Sequence, residues 1–593
     1  MAAIITSKFR FHNAEQFKES FSEAAPTNYY MFIGRPSAFA SGTTGGSDSA
    51  PPTPVDNRRS EAFHWDDMLA AKKIDSTGVT HAIPRRDLDV SGATTYDMYR
   101  PNYSASNTAN SGATTLFDST FYFMTSAYRV YKVLENKNNG AWTAAEPTST
   151  SAAPFTTGGY TIKYMFTLTT TQVQNFLTPD FIPVLIAPES GNARTDGALD
   201  IIKVTTAGLA QDGGSAWGVS SDRIVTNVPV RGDGTGALCS VTIGGTSGSA
   251  DGTVTACAVT SGGSKYTHAT VLPADILDQH NIQNTGSSNA LTWTTAPAFE
   301  VIIGPDGGHG SNPARELGGH FCLTDTKLQQ TEAFDFSVVN DFRQIGIVRS
   351  PYSYGTTSAF TGSTARQTYA VKLASNSGTF AVDEKISQTI AAVALSGGSM
   401  SISGSVITVN TPSAHKLTTG QTVKIAGGTW TGTGVSNATG HQGTHHITVT
   451  DSDTFTFTVS SSRTPAASSG LTAPTISAVS YTTSTPQGIV VEWDATNKIL
   501  FYVQNSYDNQ GTDATMKQKI PFGGNSTITG ATSNATGVPD TSSSATVNNT
   551  VFVAGYASPE LQPDSGDVIY IENRKPISRA SDQTEDVKLV VEF

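Results

Sequence analysis

Three histidines, His441, His445 and His446, place imidazole nitrogens at a four-residue step, which on a helix would aim two of them at one metal ion. The step presumes a helix, whereas His445-His446-Ile447-Thr448-Val449 reads as a strand, in which neighbours point to opposite faces. Surface histidines are expected there. A second group, Gly307-Gly308-His309-Gly310 followed by Glu316, His320 and Cys322, brings nitrogen, oxygen and sulfur donors close together in the chain. It lacks the paired spacing of a structural zinc site, and glycines around His309 suit a tight loop equally well. The expectation is therefore no metal and no cofactor.

Nucleophiles and phosphate loops are weaker still. Gly262-Gly263-Ser264-Lys265-Tyr266 lacks the glycine spacing of a phosphate loop and the hydroxyl residue after its lysine, and Ser403-Gly404-Ser405 has no strand-to-helix setting that would expose a serine. Asp66 and Asp67 could form an acid/base pair, but acids near a helix N-terminus are explained by the helix dipole. No catalytic residue is expected. The polar clusters that stand out are Arg85-Arg86-Asp87 and Glu572-Asn573-Arg574, because arginine offers planar, bidentate recognition of carboxylates and is enriched in interfaces. Arg85, Arg86, Asp87, Glu572 and Arg574 are candidate contacts, either within the chain or between subunits.

The elements that must carry these residues are mostly strands. Asn13 with Gln16 reads as a capping box opening a short helix through Ala14, Phe17 and Phe21, and a second amphipathic segment is expected around Phe63–Ala71. Strands are expected at Tyr29–Ile33, Ala127–Leu134, Tyr160–Leu168, Phe181–Ile186, Val241–Ile243 and Val254–Val259. More follow at Ile402, Val406–Val409, Val423–Ile425, Ile447–Val449 and Phe455–Val459. The low-complexity stretches 461–475 and 523–550 read as linkers or long loops. Val587, Leu589, Val591 and Phe593 alternate with Lys588, Val590 and Glu592, so a docked strand with one apolar face is expected at the C-terminal end.

At 593 residues the chain is long enough for about four domains. Its 37 basic and 49 acidic side chains give a net charge of −12, opposite in sign to the footprint of a nucleic-acid binder. Charged residues are only 15% and glycine reaches 55 residues, which is the balance of a turn-rich β protein. With 37% hydrophobic residues the chain has enough apolar surface to fold. No run is long and apolar enough to span a membrane, and no signal peptide is expected from the first residues. Three cysteines, Cys239, Cys257 and Cys322, do not make a disulfide framework and are expected as free thiols.

The two ends together resemble the baseplate wedge subunit encoded by gene eight in T-even-like contractile-tailed bacteriophages. The resemblance is carried by Ile5-Thr6-Ser7-Lys8-Phe9-Arg10, by Ile83-Pro84-Arg85-Arg86-Asp87, and by Ile569-Tyr570-Ile571-Glu572-Asn573-Arg574 with Pro576-Ile577. It continues through Asp582-Gln583-Thr584-Glu585 into the closing strand, with weaker matches at Tyr128–Leu134, Gly159–Phe166 and Asp341–Ile345. What it implies is a structural virion protein without catalytic residues, pairing as a homodimer, binding other baseplate wedge proteins, and located in the tail baseplate after assembly in the host cytoplasm. No nucleic-acid partner is implied.

The expected fold is mainly β with a smaller α/β part, and multidomain. Residues 1–110 with 485–593 would form a composite α/β wedge domain, and 111–200 with 336–352 a β-domain. Residues 201–335 would be an inserted Gly/Ser/Thr-rich β-module, and 353–484 a second insertion holding a small sandwich or barrel-like module at 399–460. The alternative function is a peripheral host-surface adhesin that binds glycans through the insertions. A glycan hydrolase would need an acidic cleft that the sequence does not show.

Overall fold

Apolar residues at alternate positions, broken every few residues by glycine or a polar turn, fold into many short antiparallel strands. The computed structural model describes residues 5–40, 45–188, 195–212, 215–216, 221–245, 251–284, 291–329, 336–389, 393–395, 397–415, 417, 419–420, 422–475, 478–481, 485–504, 521–580 and 582–593. Strands hold 43% of the described residues and helices 10%, so the fold is mostly β and multidomain, as expected; the few short helices do not establish the smaller α/β part. The chain forms two compact units. One gathers Met1–Ser20, Ser76–Asp325 and Lys588–Phe593, the other Phe21–Asp75 and Thr326–Val587.

In the first unit the core is aromatic. The strands Tyr122–Met124, Arg129–Asn136, Tyr160–Thr167 and Phe155–Thr157 lie side by side in that order, with Tyr131 opposite Tyr164 and Val133 opposite Ile162. Phe123, Tyr131, Trp142 and Tyr160 are all fully buried and meet edge to face or tilted, as ring quadrupoles favour, and buried Phe121 meets Tyr122 edge to face. A second sheet places Val79–Pro84 between Phe181–Val184 and Phe321–Gln329, with the closing strand Thr584–Glu592 at its edge. Leu589 is buried, and Val590 packs near Ala82, Phe176 and Leu323. Within 201–303, Thr235–Ile243 runs between Arg223–Pro229 and Val254–Ser264, covered by the helix Pro273–Gln283 through buried Ile276.

The opening helix differs from expectation. It spans Ser7–Glu19, because Thr6 is the earlier cap and its hydroxyl accepts from the Phe9 amide, which leaves Asn13 inside the helix and turns Phe11 and Ala14 to the core. The helix Thr170–Phe176 is not anticipated, although Thr169 and Gln172 form a capping box. The second amphipathic segment splits into the helix Arg58–Asp67 and the strand Met68–Lys73.

In the second unit, Tyr29–Gly34 pairs with Met68–Lys73 on one side and Phe342–Arg349 on the other, and Asp567–Ile577 forms one edge of that five-stranded sheet. A seven-stranded sheet includes Ile528–Gly530 and Thr536–Pro539, so 523–550 is not a linker. Its turn is fixed by Glu384, whose carboxylate accepts from the amides of Thr532 (3.1 Å), Ser533 (2.9 Å) and Ala381 (2.7 Å). Low-complexity composition hides such strands because Ser, Thr and Gly carry no alternation. The strands expected within 399–460 are present, and their core of Ile407, Val423, Trp430, Phe455 and Phe457 also takes in Ala554.

Candidate interaction site

The turn after Val79–Pro84 brings Arg85, Arg86 and Asp87 together at the surface of the first unit. Arg85 donates to both Asp87 oxygens (2.9 and 3.0 Å) and to the Thr178 carbonyl at 3.2 Å. Arg86 donates to the carbonyls of Ser119 and Phe117 and lies 4.6 Å over the Tyr122 ring. Arg86 is thus occupied inside its own unit, and the exposed group of the trio is the Asp87 carboxylate, at 56%.

Glu572 and Arg574 sit on the edge strand Asp567–Ile577 of the second unit. They are 39% and 45% exposed and 3.5 Å apart, and Glu572 also accepts from the Tyr570 hydroxyl at 3.0 Å. Burial and the Glu572 charge push that phenol up to about 12. The strand's register shifts opposite Ile347/Val348 and again opposite Phe342/Gln344. Bulges, charges and Pro576 blunt the outer edge against strand-to-strand association, so this edge is suited to contact through side chains rather than backbone.

A charged cluster also lies in the interior, and the sequence shows only half of it. Lys132 and Glu316 form a salt bridge with 0% and 2% of their side chains exposed. Glu316 also accepts from the amides of Gly310 (2.8 Å) and Asn312 (3.2 Å), positioned by the short helix Pro313–Leu317 that Asn312 caps. Burial alone would raise the Glu316 carboxyl; the Lys132 ammonium, His309 and the Gly310 amide outweigh it and hold the carboxyl below its ordinary value. His309 pairs through Nε2 with Asp200, while its Nδ1 lies 3.9 Å from Glu316. The His320 ring lies tilted against Phe321, and the Cys322 thiol donates to the Ala14 carbonyl at 3.4 Å. His309 and Glu316 thus lie near each other but make their shorter contacts to Asp200 and Lys132, while His320 and Cys322 have other neighbours. Among the described residues no three His, Cys, Asp or Glu side chains are placed to hold a metal ion.

Two of the three histidines expected at the surface are interior. His441 is fully buried with Nε2 3.0 Å from the Gly427 carbonyl, and His445 stacks on Phe457 with Nε2 2.8 Å from the His441 carbonyl. Only His446 is exposed. The alternation of Gly443–His446 sends His445 inward, where its ring can satisfy one nitrogen on backbone.

Burial lowers the pKa of His64, His309, His320, His415, His441 and His445. His81 is the extreme. Its ring is fully buried against Phe11, with Nδ1 3.1 Å from the Gly319 carbonyl, and burial followed by the nearby Lys18 charge brings it down to about 4. The unfolded chain, with the ordinary value of 6.5, takes up the proton first, so stability contributed by neutral His81 falls as pH drops through 6.5 and levels off near 4. At one pKa unit per ~1.4 kcal/mol, the loss is about 3 kcal/mol. Urea unfolding near pH 7 and near pH 4.5 should show it. The variant His81→Phe should be less stable at neutral pH yet lose less on acidification, and equal losses in both proteins would contradict this account.

These features define a multidomain β protein with an exposed Glu572–Arg574 pair on a blunted sheet edge and a buried Lys132–Glu316 pair in its interior. Residues 534–593, which include that edge and the closing strand, match a protein-family model described as Phage-Gp8: Bacteriophage T4, Gp8. The resemblance to the gene eight baseplate family is thereby shown at the C-terminal end of the chain. No curated protein matches the chain. No helix among the described residues is long and apolar enough to cross a membrane.

Proposed function

We propose that this protein is a structural component of a contractile-tail baseplate wedge, a homodimer that joins neighbouring wedge proteins and takes part in baseplate assembly in the host cytoplasm and in rearrangement on infection. The observation that carries the reading is that the family match at 534–593 contains the exposed Glu572–Arg574 pair on a sheet edge blunted against backbone pairing. Asp87 is a second contact candidate. The work of such a protein is mechanical: contacts that differ in free energy between two baseplate states bias the assembly from one to the other. Side-chain ion pairs suit this role because they re-form in a second geometry and penalise wrong partners.

The test exchanges the pair. Glu572→Arg and Arg574→Glu, each alone, should leave the isolated protein within about ±0.5 kcal/mol of the parent, as exposed substitutions do. Each should reduce incorporation into baseplates in a complementation assay. Incorporation at the parental level by both variants would contradict a contact at this edge.

A further inference from the structure

Two thiols of the first inserted segment share one sheet face. Cys239 lies on Thr235–Ile243 and Cys257 on Val254–Ser264, antiparallel neighbours in which Cys239 stands opposite Val259 and Val241 opposite Cys257. Residues two apart on a strand point the same way. The sulfurs therefore occupy one diagonal of a two-by-two block, and Val241 and Val259 occupy the other. Cys239 is fully buried in the module's apolar core, and Cys257 packs partly buried against the same core. Interaction between the two thiols holds Cys239 below the ordinary thiol value and raises Cys257.

Diagonal Cα pairs across antiparallel strands are about 7–8 Å apart. A disulfide spans roughly 4.4–6.8 Å, so direct closure would require the strands to move. An ion between the sulfurs lengthens the bridge by two metal–sulfur bonds and needs no such movement.

We propose that Cys239 and Cys257 form a two-thiolate site for a soft, thiophilic monovalent cation of the copper(I) and silver(I) class. Thiolate ligands select soft ions. Among the described residues no third His, Cys, Asp or Glu joins the pair, so the side chains supply two ligands. Cys257, half-buried, gives the way in. On binding, two S–H bonds break and two metal–sulfur bonds form. Two protons leave to solvent and no electron changes hands.

The test uses the reduced full-length protein and silver(I) as the probe, with native mass spectrometry for stoichiometry and X-ray absorption at the silver edge for the ligands. The expected result is one silver per chain with two sulfur neighbours. Cys257→Ser should lose affinity by about a hundredfold, the scale of a lost second point of attachment, and Cys322→Ser should retain it. Silver bound by a single sulfur, unchanged affinity in Cys257→Ser, or a Cys239–Cys257 disulfide forming in place of the complex would each overturn the assignment. The absorption measurement on the parent keeps the test decisive even if a variant does not fold.

Discussion

Deleting residues 586–593 is expected to unfold or aggregate the protein at temperatures where the parent is stable. Complete burial of a side chain such as Leu589 contributes about 1.5–3 kcal/mol, and Val587 is also buried. The Phe593 ring lies 5.3 Å from Phe17, and Arg10 donates to the Phe593 carbonyl and pairs with Glu592. Removal also leaves the long edge of Phe321–Gln329 unpaired and open to association. A combined loss above about 4 kcal/mol is a large share of a typical net stability of ~5–15 kcal/mol. Lys588, on the other face of the strand, is itself only 17% exposed with Nζ 3.9 Å from Asp325, so it is a poor silent control; exposed Thr584→Ser is the suitable one. Thermal unfolding with size-exclusion chromatography reads the outcome. A truncated protein that melts with the parent and elutes in the same position would show the strand to be peripheral.

Replacing Lys132 by Met is expected to cost about 3–5 kcal/mol, because it strands the Glu316 charge in a site with 2% exposure. The Gly310 and Asn312 amides still donate to that carboxylate, but they do not replace the ammonium. The double variant Lys132→Met/Glu316→Leu removes both charges and should recover a substantial part of the loss, since an apolar pair can substitute for a buried ion pair. Denaturant unfolding of the parent, single and double variants measures this. A double variant no more stable than the single would mean that shape, rather than stranded charge, dominates at this position.

How much of this was legible depends on the range of each interaction. Thr454–Thr458 and Thr584–Glu592 follow from alternation along a few residues, and the structure places strands on both. Ile528–Gly530 escapes because its neighbours are Gly, Ser and Thr, and its anchor is Glu384, far away in the chain. Lys132 and Glu316 are 184 residues apart, so only the tertiary fold shows their pairing. His309 and Glu316 drew attention as adjacent donors; their actual partners, Asp200 and Lys132, carry no local signal. The histidines at 441 and 445 mislead for a related reason, because a polar ring is readily buried once the backbone supplies a carbonyl for one nitrogen. Arg85 to Asp87 and Glu572 to Arg574 were visible as clusters, while the bulged edge that leaves the second one accessible depends on pairing with Phe342–Arg349.

The central claim is most directly tested by locating the protein in the virus particle. Gold-labelled antibodies against the purified chain, imaged on intact and contracted virions by negative-stain electron microscopy, should mark the baseplate at the distal end of the tail. Label confined to the capsid or the tail tube, or particles that carry none of the protein when denatured virions are probed with the same antibody, would contradict the assignment.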